Sequence, residues 1–215
     1  MGTKITMGAS SMSIPILTKL DLSGITAPLI GRHLLPENYE VTHVCCGWVH
    51  SVIILNGKVV LGSGHNYFFQ TGCSTSGTLP EFSHVPLDST ILADPNDRIT
   101  HADCGTFFTV IAVNSRRLFG TGSSNTHNFG ASDVNNIMSF VFVKEFDCDI
   151  SKIQCGYDHS AILLKDNRIF LSGKLEGGAQ DMLSQFTLLD LSVSARDSVD
   201  LAVLKFNYKT YVLSK

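Results

Sequence analysis

A chain of 215 residues that is 44% hydrophobic and only 16% charged has the composition of an ordered protein with a core, which excludes intrinsic disorder. Its net charge of −3 and its scattered Lys and Arg exclude the basic patch of a nucleic-acid binder, and apolar runs such as Val52 to Leu55 fall far short of the about 20 residues that cross a bilayer. The sequence opens without a secretory leader pattern, so an intracellular setting, cytoplasm or nucleus, with reduced cysteines is expected.

In chain order, residues 4–10 read as the second strand of a hairpin, because Lys4-Ile5-Thr6-Met7-Gly8-Ala9-Ser10 parallels Lys58-Val59-Val60-Leu61-Gly62-Ser63-Gly64 further on. Ile14 to Leu22, with Pro15 near its start, has the pattern of an outer edge strand, where the missing amide of proline faces away from the ladder. Residues 23–40, punctuated by Gly24, Pro28, Gly31 and Pro36, form a connecting loop with room for a short helical turn.

A repeat follows. Cys46-Gly47-Trp48-Val49-His50-Ser51, Cys104-Gly105-Thr106-Phe107-Phe108-Thr109 and Cys155-Gly156-Tyr157-Asp158-His159-Ser160 are three versions of one phrase. Their glycines stand 58 and 51 residues apart, close to the about 40–50 residues of a propeller blade. After each phrase come an apolar run, a polar turn (Asn56-Gly57, Asn114-Ser115, Asp166-Asn167) and a second apolar run ending near Gly62-Ser63-Gly64, Gly120-Thr121-Gly122 and Gly173. That is a hairpin signature, and runs of about five residues broken by glycine do not suit helical repeats.

Inner strands are therefore predicted near 41–46, 99–104 and 150–155, each followed by its hairpin, with outer strands near 82–87, 139–146 and 185–191. Residues 73–81 and 131–138, rich in Ser, Thr, Gly and Asn, read as surface excursions before the outer strands. Residues 199–215 fit the first half of another repeat, with Phe206 in the glycine's place, and residues 1–22 supply the missing second half.

The predicted fold is all-β, a propeller of about four four-stranded blades in one domain over 1–215. Its repeats lie near 41–98, 99–149 and 150–198, and a composite fourth blade joins 199–215 to 1–22. Closing the ring would hide strand edges that an open stack exposes.

The repeat resembles that of the regulator-of-chromosome-condensation family, whose pattern runs roughly C-G-x-x-H-S-x-x-L, then G-x-V-x-x-W-G-x-N, then G-Q-L-G. Cys46-Gly47, His50-Ser51, Leu55, Gly57-Lys58-Val59, Gly62, Asn66 and Gln70-Thr71-Gly72 fall on it, as do Cys155, Gly156, His159 and Ser160 in the third repeat. The second keeps Cys104 and Gly105. The sequence departs from the pattern where Leu61, Phe119 and Leu171 replace the family's tryptophan, and in having four blades where seven are typical. The resemblance implies a small, divergent member and, for its activity, either protein interaction or guanine-nucleotide exchange on a Ran-type small GTPase.

Cys46 with His50, and Cys155 with His159, have a spacing that invites zinc. Recurrence on successive blades separates the pairs, so Cys46, Cys104 and Cys155 are read as small buried hydrophobes and the histidines as structural. No orienting third group suggests a nucleophile, and the Gly-x-Gly turns lack the helix start and Lys-Ser/Thr of a phosphate loop. No catalytic residue, metal or cofactor is implied.

Aromatic residues on the rim remain. Trp48 and Val49, Phe107, and Tyr157 and Asp158 occupy the tight connection after each repeat glycine, and Tyr67, Phe68 and Phe69 form a second group, assigned to a different side of the ring. The expectation is a monomeric, non-catalytic interaction module or scaffold with a protein partner. A small GTPase is the rival partner, and a structural role in a larger assembly is the third alternative.

Overall fold

The structure, a computed structural model, describes residues 20–131, 135–175, 182–189, 199–203 and 210–214. Three four-stranded antiparallel sheets follow one another along the chain. The first is β1 (Val41–Cys46), β2 (His50–Leu55), β3 (Val59–His65) and β4 (Thr78–Val85). The second is β5 (Ile99–Cys104), β6 (Phe108–Val113), β7 (Arg117–Ser123) and β8 (Asn136–Glu145). The third is β9 (Ile150–Cys155), β10 (His159–Leu164), β11 (Ile169–Lys174) and β12 (Met182–Leu188). In each sheet the strands lie in sequence order, the meander of a propeller blade.

A two-stranded sheet, β13 (Val199–Val203) and β14 (Thr210–Ser214), comes last. The inner strands β1, β5, β9 and β13 stand beside one another in chain order. The β13–β14 hairpin thus supplies the two strands expected of the terminal repeat. Phe206, the predicted strand at 4–10 and residues 14–19 of the predicted edge strand at 14–22 lie outside the described residues, whereas residues 20–22 are not strand and lead into the helix Ser23–Gly31, with Leu20 and Leu22 packed against the first sheet's outer face.

Period-two alternation explains why six consecutive apolar residues make a strand here. In β2, Val52 and Ile54 face the second sheet while Ile53 and Leu55 face the helix side. In β6, Ile111 and Val113 pack toward the first sheet while Val110 and Ala112 pack toward the third, so every residue of β6 is buried. Ile162 and Leu164 of β10 face the second sheet, and Ala161 and Leu163 turn away from it. The core is a series of inter-blade layers.

Helix α1 (Ser23–Gly31) occupies the segment expected to be a loop with a helical turn. Its Leu29, with Leu35, covers Ile53, Leu55 and Leu61 on the outer face of the first sheet. The outer strands begin earlier than composition suggests, β4 at Thr78 and β8 at Asn136. Thr78 pairs with His65 and Asn136 with Ser123, so ladder hydrogen bonds override the loop-like residues there.

At Asn56-Gly57 both residues have positive φ (52° and 63°), as a type I′ hairpin turn requires. Asn114-Ser115 makes the same turn with φ of 52° and 58°, placing a serine where glycine is at ease. The ladder shifts register at Gly62/Gly64, Gly120/Gly122 and Leu171/Gly173. Gly64, Gly122 and Gly173 hold φ near 100° there, against the carbonyls of Val49, Phe107 and Asp158.

Candidate functional site

The tight connections 47–49, 105–107 and 156–158 lie on one rim, and their geometry is built from the repeat phrase. The carbonyls of His50, Phe108 and His159 accept from the amides of Gly47, Gly105 and Gly156. The rings of those same residues occupy the space a Cβ on each glycine would need. A three-residue connection results, which presents Trp48 and Tyr157 from its middle position in the first and third blades and Phe107 from its last in the second, where the middle residue Thr106 is buried.

Trp48, Phe107 and Tyr157 thereby meet, one from each blade. The rings of Trp48 and Phe107 lie 5.5 Å apart and those of Trp48 and Tyr157 6.2 Å apart, all tilted. Trp48 remains 54% exposed even so. Val49 is half-buried and contributes its carbonyl, which accepts from the His65 amide. Asp158 is partly buried, which pushes its carboxyl up, with Lys174 pulling it back down.

Tyr67, Phe68 and Phe69 do not form a separate face, which corrects the sequence expectation. Phe68 packs on Phe107 at 4.9 Å, and His65 stands between Tyr67 (4.9 Å), Phe68 (5.8 Å) and Phe107 (5.9 Å). The reason is that β3 returns to the same rim its blade's β1–β2 connection occupies, so the loop after it lands beside the next blade's Phe107. Tyr67 is exposed. Phe69 has φ of 63°, and its carbonyl accepts from Thr121 Oγ1 of the second sheet, an inter-blade tie rather than a presented side chain.

His65 was not singled out by sequence reasoning. The signal was its place directly after Gly64, at the mouth of the strand that feeds the aromatic loop. Gln70 bonds its Nδ1 at 2.9 Å and fixes the ring plane.

The repeat residues behind the rim tie blade to blade. His50 Nε2 meets Thr109 Oγ1 of the next sheet at 3.0 Å, and Thr109 donates back to the Gln70 carbonyl at 2.6 Å. Ser160 donates likewise to the Asn128 carbonyl, and the Cys155 amide donates to Asp103. His159 is fully buried with neither ring nitrogen bonded, and burial pulls it down to about 4. These side chains point into inter-blade layers, and among the described residues no three His, Cys, Asp or Glu gather as a metal site would need.

Cys104 and Cys155 are fully buried, but Cys46 is exposed, contrary to expectation. Each repeat cysteine faces the preceding blade. Cys104 meets the first sheet and Cys155 the second, whereas no described segment covers that face at Cys46. Its neighbour Cys45 is buried instead, with its sulfur 3.1 Å from Cys104 Sγ. Burial pushes the Cys104 thiol up, and its hydrogen bond with Cys45 together with His50 and Thr109 pulls it below the ordinary value.

The opposite rim is charged. Asp149 bridges Arg116 (2.9 Å) and Lys165 (3.0 Å), Arg168 joins Asp147 and Asp166, and Asp97 holds Arg117 at 2.7 Å. No described helix is long and apolar enough to cross a membrane.

No family model matches the chain. It is 23% identical over 139 residues to the X-linked retinitis pigmentosa GTPase regulator of Homo sapiens, a match covering 64% of this chain and 13% of that protein. It is 23% identical over 198 residues to an RCC1 repeat-containing protein of Dictyostelium discoideum, covering 82% of this chain and 40% of the other. Yeast RCC1 (Prp20), in its crystal structure bound to Kap60, superposes with a TM-score of 0.66 at 14% identity, covering 80% of this chain and 41% of that one. A second structure of Prp20p, described with its binding to Gsp1p and histones, gives 0.61. The chain thus spans less than half the length of each of these proteins. With the recurring Cys-Gly phrase and the four-stranded blades, these likenesses show that the chain has an RCC1-like β-propeller fold.

Proposed function

We propose that the chain is a non-catalytic interaction module that docks a protein partner on its aromatic rim, in an intracellular setting. The observation that carries this reading is the convergence of Trp48, Phe107 and Tyr157 from three blades with Trp48 left 54% exposed. Buried aromatic anchors dominate interface energies, and a rigid cluster held by three short connections pays little entropy on docking. The test is affinity capture with the purified chain and its Trp48→Ala variant, followed by mass spectrometry of what each retains. A specific protein held by the parent and lost by the variant supports the reading, and equal retention by both rejects the rim.

The likeness to Prp20p, which is described with its binding to Gsp1p, favours guanine-nucleotide exchange on a Ran-type GTPase as the second reading. Release of a fluorescent guanine nucleotide from a panel of small GTPases, at substoichiometric chain, distinguishes it. Acceleration there replaces the first reading. A part in a larger assembly is the third, and a partner recovered in fixed stoichiometry would support it.

A further inference from the structure

Between the first two blades, Cys45 of β1 and Cys104 of β5 place their sulfurs 3.1 Å apart, and both thiols are reduced. Each lies three residues before an aromatic of the rim, Trp48 and Phe107. We propose that Cys45 and Cys104 form a reversible inter-blade disulfide that fixes the spacing of the Trp48 and Phe107 connections. A disulfide needs the sulfurs about 1 Å closer than they stand, a shift two facing side chains can supply by χ1 rotation.

The chemistry divides between the two sulfurs. Cys45 keeps 6% of its surface, while Cys104 has none, so a small hydroperoxide reaches Cys45 first. Attack by the Cys45 sulfur on the peroxide breaks the O–O bond, forms an S–O bond and releases an alcohol (water, from hydrogen peroxide) that carries off the Cys45 proton, leaving a sulfenic acid. Cys104 sulfur then attacks the Cys45 sulfur, the S–S bond forms, the S–O bond breaks and water leaves with the Cys104 proton. Two thiols and one peroxide give one disulfide, one alcohol and one water, and the two electrons pass from sulfur to the peroxide oxygens. The lowered Cys104 thiol, beside His50 and Thr109, suits the attacking role.

Other thiols set the controls. Cys46 is exposed and lies next to Cys45, but its sulfur is 3.5 Å from Ser51 Oγ, on the face away from Cys104. Cys73 is buried against the His84 carbonyl. The bond itself does not depend on the rim being a docking face. Its bearing on partner binding rests on that reading, so the test reads the bond and the rim separately from any partner.

The full chain is treated with hydrogen peroxide, denatured, alkylated and mapped by mass spectrometry without reductant. The expected result is one linked pair of peptides carrying Cys45 and Cys104, a loss of two hydrogens reversed by dithiothreitol, and a thermal midpoint raised by about 5 °C or more. Trp48 is the single tryptophan, so its emission should shift on oxidation and return on reduction. Cys46→Ser should keep the link and Cys104→Ser should lose both link and shift. If Cys104→Ser does not fold, the map of the parent chain decides alone. Full alkylation of Cys45 and Cys104 after peroxide, or links that use Cys46 or Cys73 instead, overturns the proposal. A link with unchanged Trp48 emission overturns its reach to the rim.

Discussion

A glycine without room for a side chain and a ring filling that room recur at Gly47/His50, Gly105/Phe108 and Gly156/His159. Gly105→Ala should therefore cost about 2 kcal/mol or more in urea unfolding, because fully buried Phe108 cannot yield. At the third position the ring is a histidine that burial holds at about 4, against an ordinary value of 6.5. The unfolded chain binds this proton more tightly, so stability from His159 is complete above about pH 6.5 and falls as pH drops toward 4. At pH 5 the parent should have lost about 2 kcal/mol on this account. His159→Phe, which copies Phe108, should flatten that dependence in urea midpoints taken at pH 7 and pH 5. Trp48→Ala, at an exposed position, should leave stability within about 1 kcal/mol while weakening partner binding by about 2 kcal/mol in calorimetry.

Strands and turns were legible where the period was clean. Inner strands β1, β5 and β9 and their hairpins fall where the repeat phrase puts them, because each has two apolar faces and a turn with its own residue chemistry. The outer strands were mis-bounded since Thr78 and Asn136 gain their order from pairing with β3 and β7, which local composition does not report. Likewise Cys46 could not be told from Cys104 by its neighbours in sequence, for its exposure is set by what stands beside its blade. The convergence of Trp48, Phe107 and Tyr157 was legible from repetition alone, while the joining of Phe68 and His65 to them required the path of the loop after β3. One turn gives an element-scale prediction. Ser115 sits at φ of 58° with its neighbour Asn114 also positive, so Ser115→Gly should raise stability by about 1 kcal/mol, measured by chemical unfolding, and Gly57→Ser should lower it comparably.

Across the whole molecule the sheets share their cores pairwise, so unfolding of one blade strips a face from the next and the array should unfold as one unit. The expectation that residues 4–10 and the segment from residue 14 to 19 complete the β13–β14 sheet makes a further claim. Removing residues 1–12 should lower the midpoint of the entire calorimetric transition, and an unchanged single transition rejects it. The two rims differ in kind, aromatic on one side and laced with exposed ion pairs on the other. Added salt should accordingly weaken the exposed pairs and leave the aromatic cluster intact, with circular dichroism moving little.

The side chains that join neighbouring blades are matched across the junction and not within a blade. Cys45 answers Cys104, Asp103 answers the amide of Cys155, and His50 answers Thr109. Such pairing constrains how an array of this kind can lengthen over evolutionary time. A gene duplication that copies the second blade in tandem would set Asp103 of one copy against the Cys104 amide of the next, a contact of the existing kind. It would also set Phe108 where His50 now meets Thr109, leaving that hydroxyl one partner short. Growth of the array by copying blades thus demands compensating change at the junctions, about one repeat away from each altered residue, and the divergence of the three phrases at positions 45, 50 and their equivalents is where such co-variation should be sought.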